Sequence, residues 1–266
     1  MTSEVSLPLS PVTSPAARYC LALGDDALVL AQRLGEWLSR APQIEEDMAL
    51  GNIALDLLGQ ARTLLTHAGE LEAAATGARP LTEDDLAYLR DERQFRCVHL
   101  VQLPRGDFGV TIARQLVFAT YSHALYSRLV DSTDETLAAL AGKAVKEVEY
   151  HREHAAAWTL RLGDGTDESR VRMQAGLDLL WPYVDELFTD DEVATALAGE
   201  GIAVLPSRLR EECERVWADV VGEATLRLPE PRSHAHGGRE GVHSEHLGYV
   251  LAEMQHIARS HPGATW

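Results

Sequence analysis

Cysteine is scarce in this 266-residue sequence: Cys20, Cys97 and Cys213 stand far apart and form no CxxC pair. That excludes a disulfide framework and a cysteine-based zinc site, and it fits a reducing compartment. Basic residues are also short, 24 Lys and Arg against 41 Asp and Glu, for a net charge of −17. Nucleic acid and anionic membranes would be repelled by such a chain, and a polyphosphate ligand would need a local basic pocket. No apolar run approaches the roughly 18 residues that a membrane span requires. The opening MTSEVSLPLSPVTSP has no basic region ahead of an apolar core, so no signal peptide is expected and the protein reads as soluble and cytoplasmic. Nucleotide-binding glycine loops, a GxSxG nucleophile motif and alternating strand patterns are all missing.

What is there is helical. Hydrophobic residues make up 45% and charged residues 24%, the balance of a globular domain with ample core. Residues 1–15, rich in Ser and Pro, read as a flexible tail, and 16–266 as one domain. Apolar residues at helical spacing, among them Leu23, Leu30, Leu34 and Trp37, predict a first helix over 16–40, closed by Pro42. A second is predicted over 43–69, opening on the acidic run Glu45, Glu46, Asp47. A long connection, 70–106, has a capping-box start at Thr82 and Asp85. Third and fourth helices follow over 108–130 and 134–162, the latter stopped by the glycines of GDGT. Shorter helices are expected at 167–188 (interrupted by Pro182), 190–199, 207–222 and 243–260. Four long helices of about 23 to 29 residues, each roughly 35–45 Å tall, make a bundle. The lengthy connection between the second and third permits a crossover between parallel neighbours, the wiring of ferritin-like folds. The fold class is therefore all-α, a ferritin-like four-helix bundle with additional C-terminal helices.

Such bundles bind two irons when two helices each supply one Glu and the other two each supply Glu-x-x-His, because residues three apart share a helical face. The third helix, FGVTIARQLVFATYSHALYSRLV, holds no Asp or Glu. Hard ferric iron needs carboxylates there. The second helix offers Asp56, but Gly59 and Gln60 follow where an imidazole is needed, and Asp25, Asp26 and Glu36 leave the first helix acidic on its own. The stretch KEVEYHREH on the fourth helix is rich in ligand types, yet Glu147 and His151 are four apart; Tyr150 lies three after Glu147 and Val148 three before His151. It reads as structural, with Glu147 paired to Arg or Lys across a helix interface and Tyr150 and His151 hydrogen-bonded in a polar seam.

Glu-x-x-His does occur at Glu240/His243 and Glu253/His256, both outside the four-helix core. The loop HAHGGREGVHSEH places His234, His236, His243 and His246 within 13 residues. A zinc or nickel clasp is one reading; a loop bent closely against a neighbour, or a partner contact, is preferred. RDERQFRCVHL, residues 90–100, alternates charges, and a solvated or interfacial salt-bridge cluster is preferred over an anion site. Trp37, Trp158, Trp181 and Trp217 are candidate core or interface anchors. The chain is accordingly assigned no catalytic, cofactor-binding or metal-ligating residue.

Several blocks resemble a known family: LGDDALVLAQRLGEW, LGNIALDLLGQAR, RDERQF, GDFGVTIARQ, KEVEYH, RLGDGT and GVHSEHLGYVLAEMQ, in order along nearly the whole chain. They are similar to the C subunits of bacterial phenylacetyl-CoA epoxidase. The resemblance implies a multicomponent monooxygenase of phenylacetate catabolism. Its A subunit holds the di-iron centre, a reductase passes electrons from NADPH through flavin and an iron–sulfur cluster, and a small B subunit bridges copies. The C subunit then braces A, with self-association as a homodimer left open. The alternatives from the residues alone are a self-sufficient di-metal oxidase and an interaction module whose histidine loop binds metal.

Overall fold

In a computed structural model, residues 9–230 and 235–264 are described, and among them every regular element is helical. Apolar residues returning every three or four positions fold into α1 (Pro15–Gly35) and α2 (Ile44–Thr76), which lie antiparallel. The second helix runs beyond the expected end at residue 69, because Leu71 and the alanines at 73–75 are strong helix formers; Gly77, at φ +73°, caps it. The connection carries α3 (Glu83–Tyr88), started by the Thr82–Asp85 capping box, and the short α4 (His99–Gln102). Asp107 caps α5 (Phe108–Leu129), and Asp134 caps α6 (Glu135–Gly163).

Two sets of contacts fix the wiring. At one end Phe108, in the first turn of α5, meets Trp37 just past α1 and Trp158 near the end of α6, at 5.7 and 4.9 Å edge to face. The Trp37 indole N–H donates to Thr111 Oγ1 at 2.9 Å. At the other end His67, late in α2, bonds Asp134 at the start of α6 at 2.8 Å. Hence α2 and α5 both start at the same end and run parallel, joined by the crossover at 77–107, and the ferritin-like topology follows.

Four further helices surround this bundle. Against α5 and α6 lie α7 (Asp167–Leu180) and α9 (Arg210–Glu223), while α8 (Glu192–Gly199) packs on α1. The last, α10 (Glu245–Ser260), is seated on the crossover and α1. Pro182 ends α7 in 3₁₀ turns at Trp181–Tyr183 and Asp185–Phe188. Trp37, Trp181 and Trp217 are buried; Trp158 is half-buried. No described helix is long and apolar enough to cross a membrane. Residues 1–8 of the expected tail lie outside the described residues. Residues 9–14 are held: Leu9 is buried, and the Thr13 and Ser14 amides both donate to Glu72 Oε2, at 3.0 and 2.8 Å.

Candidate functional site

A di-iron centre would sit between α1, α2, α5 and α6, so the polar groups of those four helices decide what the interior can do. Among the described residues, no three His, Cys, Asp or Glu side chains converge to hold a metal. On α5 the buried charged residue is a cation. Arg114 is fully enclosed, its Nη1 donates to Leu103 O at 2.6 Å, and its Nε and Nη2 have no hydrogen-bond partner. Burial pushes its pKa down to about 10, with the nearby Arg33 adding to the effect. A guanidinium offers no lone pair to a metal, so the donor set of α5 does not fit ferric iron.

The acids of α1 are turned to another task. Asp25 is completely buried and takes a forked pair of bonds from Arg90, one of them at 2.9 Å, together with the Arg96 amide at 2.7 Å. Asp26 accepts from the Val98 amide at 2.9 Å and from Arg239 at 2.6 Å. Burial drives the Asp26 carboxyl up to about 6, and Arg239 and the Val98 amide keep it from rising further. Both carboxylates therefore hold the crossover and the C-terminal loop onto α1. The segment 90–100 divides between the two settings expected of it: Asp91, Glu92 and Arg93 are exposed, while Arg90 is buried at 1% exposure in its salt bridge to α1, its guanidinium lying 4.1 Å above the Phe95 ring.

The stretch KEVEYHREH pairs across the α2–α6 seam. Glu147 accepts from Gln60 Nε2 at 3.0 Å and pairs with Lys143 of its own helix at 3.1 Å, so its partner across the interface is an amide, not a cation. His151 bonds Asp56 at 3.1 Å, and His154 bonds Glu46 at 2.8 Å. Burial lowers the pKa of His151, partly offset by Asp56. Tyr150 departs from the expected seam: it is 47% exposed, with its ring against the His151 and His154 rings. Each of Glu147, His151 and His154, which could have served a metal here, already has a partner of the complementary kind.

The C-terminal loop docks inside the same chain. A Cβ on Gly238 would collide with Cys97 O, and Gly241, at φ +83°, abuts Arg93 O. The His243 Nε2–H donates to Phe95 O at 3.0 Å, while its Nδ1 accepts from Gln102 Nε2 at 2.9 Å. Glu186 accepts from the Gly238 amide at 2.9 Å and from the His99 amide and ring. Burial alone would raise the Glu186 pKa, but the His99 and Gly238 bonds hold it below the usual carboxylate value. The preferred reading of a loop bent closely against a neighbour thus has its neighbour in residues 93–102. His234 lies outside the described residues, Glu240 is exposed while His243 faces inward, and Glu253 and His256 are both exposed on α10.

The sequence did not reveal Glu186, Arg239 and Gln102 as partners, and Asp25 and Asp26 read, with Glu36, only as acids of a helix acidic on its own. One signal was available: two adjacent aspartates inside the apolar run LALGDDALVL had to be buried, and buried carboxylates need cations and amides.

Comparison with known proteins agrees with this architecture. Residues 9–266 match the model of the phenylacetic acid catabolic protein family. Over 248 residues the chain is 48% identical to the C subunit of 1,2-phenylacetyl-CoA epoxidase from Escherichia coli (strain K12), across 93% of this chain and 98% of that protein. The chain belongs to the phenylacetic acid catabolic protein family.

Proposed function

We propose that this chain is the non-catalytic structural subunit of a phenylacetyl-CoA epoxidase, bracing a di-iron A subunit in aerobic phenylacetate breakdown in the cytoplasm. One observation carries the reading: α5 has no carboxylate and its buried charged residue is Arg114, bonded to Leu103 O of the crossover, while Asp25, Asp26, Asp56 and Glu46 of α1 and α2 are taken by Arg90, Arg239, His151 and His154. In this reading the oxygen chemistry, the flavin, the iron–sulfur cluster and NADPH belong to the partner subunits, and residues 16–266 act as one domain.

A partner of this kind has a physical use. Carboxylates gathered for iron repel one another and are costly to desolvate before metal arrives. A second bundle packed alongside holds such helices in place and excludes water, across an obligate interface of roughly 2,000 Å² or more. The test is co-expression with the A and B subunits, followed by sizing, iron analysis and turnover. The reading expects stable co-elution with A, and turnover only in the complex. Stoichiometric iron and activity in the isolated chain would overturn it in favour of a self-sufficient oxidase.

A further inference from the structure

Helix α2 carries two apolar seams. The inner one, through Leu50, Ile53, Leu57, Leu64 and Ala68, is buried in the bundle. On the far side Ile44, Met48, Gly51, Leu55 and Leu58 recur at alternating steps of four and three residues. Ile44, Met48 and Leu55 are 72%, 65% and 65% exposed. Leu38, 59% exposed, stands beside them, its methyl 3.7 Å from where a Gly51 Cβ would lie. Between this row and the end of α1 runs a cleft of about 450 Å³, floored by Ala31, Gly35 and Ala54.

A four–three repeat is the pattern that meets another helix by knobs-into-holes packing, at a crossing angle of about 20°. It differs from the wider stripe with which a helix faces its own core. Gly51, at the middle of the row, lets an incoming backbone approach closely. Three large apolar side chains of one row left in water, with Leu58 packed on the core at its end, mark an interaction surface.

Charge selects the occupant. The row is flanked by the exposed Glu45 and by Asp47, with Asp56 alongside already bonded to His151, and the cation at its far end, Arg62, pairs with Glu83 at 3.2 Å. A second copy, itself at −17, would bring like charge to this rim. We propose that the outer face of α2, from Ile44 to Leu58, seats a helix of the catalytic partner subunit. That helix has its own apolar four–three seam, bordered by Lys and Arg. The inference rests on the structural-subunit reading above.

The experiment uses the co-expressed complex. Met48→Glu with Leu55→Glu puts two carboxylates into the row, and Val171→Glu, at a 68% exposed position on α7, serves as the control. The double variant is expected to lose co-elution with the catalytic subunit, its affinity falling by about 30-fold or more, as for truncated interface anchors. The isolated double variant should keep its thermal midpoint, and the control should retain the partner. A second readout is independent of the charge change. Because Cys20, Cys97 and Cys213 are all buried, Leu55→Cys supplies a single accessible thiol. It should react with a maleimide in the free chain and be protected in the complex. Full co-elution of the double variant, or equal labelling in both states, overturns the proposal. So does a homodimer that the double variant splits while the heteromer persists, which would make the face a self-interface. A wild-type chain that never holds the catalytic subunit removes the functional reading itself, and the inference falls with it; the wild-type arm keeps the two failures apart.

Discussion

Arg239 reaches back across 213 residues to close a 2.6 Å ion pair with Asp26, so the C-terminal loop is clamped to the first helix of the bundle. The same guanidinium donates to Ala22 O and Arg96 O, at 2.9 and 2.8 Å, binding three segments at one point. Removing one partner of a buried pair leaves an uncompensated charge. Arg239→Leu is expected to destabilise the fold by about 3–5 kcal/mol. Urea unfolding measures the loss, and limited proteolysis should show new cleavage at residues 235–244. An unfolding midpoint equal to wild type would refute the clamp.

Two glycine substitutions should move stability in opposite directions. Gly238→Ala drives a Cβ into Cys97 O, a backbone atom that cannot step aside, and overpacking of this kind costs about 1–3 kcal/mol. Gly142→Ala, at an open position within α6, meets nothing and should stabilise by about 0.5–1 kcal/mol. Thermal unfolding of the two variants beside wild type decides both.

Acidification should weaken the fold through its buried imidazoles. Burial lowers the pKa of His243 and of His151 below the ordinary histidine value, so the folded state disfavours the proton that the unfolded chain accepts. Their contribution is fully present above the unfolded value of about 6.5, and it is lost as pH falls below that. Asp26, raised to about 6, works in the opposite sense: its stabilising share lies at low pH and fades as pH climbs through that value. The variant comparison separates them. The drop in Tm between about pH 7.5 and about pH 5.5 should be smaller in His243→Gln than in wild type. An unchanged drop would contradict the assignment.

The α2–α6 seam gives a double-mutant test. Glu46 and His154 are nearly enclosed side chains meeting at 2.8 Å. Glu46→Ala should cost about 1–3 kcal/mol by leaving the imidazole without its acceptor. His154→Leu in that background should recover part of the loss, because both polar partners are then gone. Strictly additive effects in chemical denaturation would show that the pair is not coupled.

The four long helices and their crossover were legible because apolar residues at helical spacing, the GDGT glycines and Pro182 are local signals. The first helix, however, stops at Gly35 and not at the expected residue 40, the chain turning over 36–40 with Ser39 at φ +63° ahead of Pro42. The end of α2 was not, since Gly69 lies within a run of strong helix formers that carries the helix on to Gly77. The lack of carboxylates on α5 could be read directly from residues 108–130. What filled the space could not: that Asp25 would meet Arg90, that Glu186 would meet His99, and that the histidine loop would fold onto residues 93–102 depend on pairings between distant segments. The seam at KEVEYHREH was half legible. Its residues read as structural, but the partners turned out to be Gln60, Asp56 and Glu46 in place of a basic residue, and Tyr150 faced outward.

The most direct measurement is metal analysis of this chain and of the catalytic subunit proposed as its partner, each purified from iron-replete cells, alone and after co-expression. The account predicts iron only in samples that contain the partner, with none above background in this chain. Iron bound in stoichiometric amount by this chain alone, and lost when Asp56 and His151 are replaced, would contradict it.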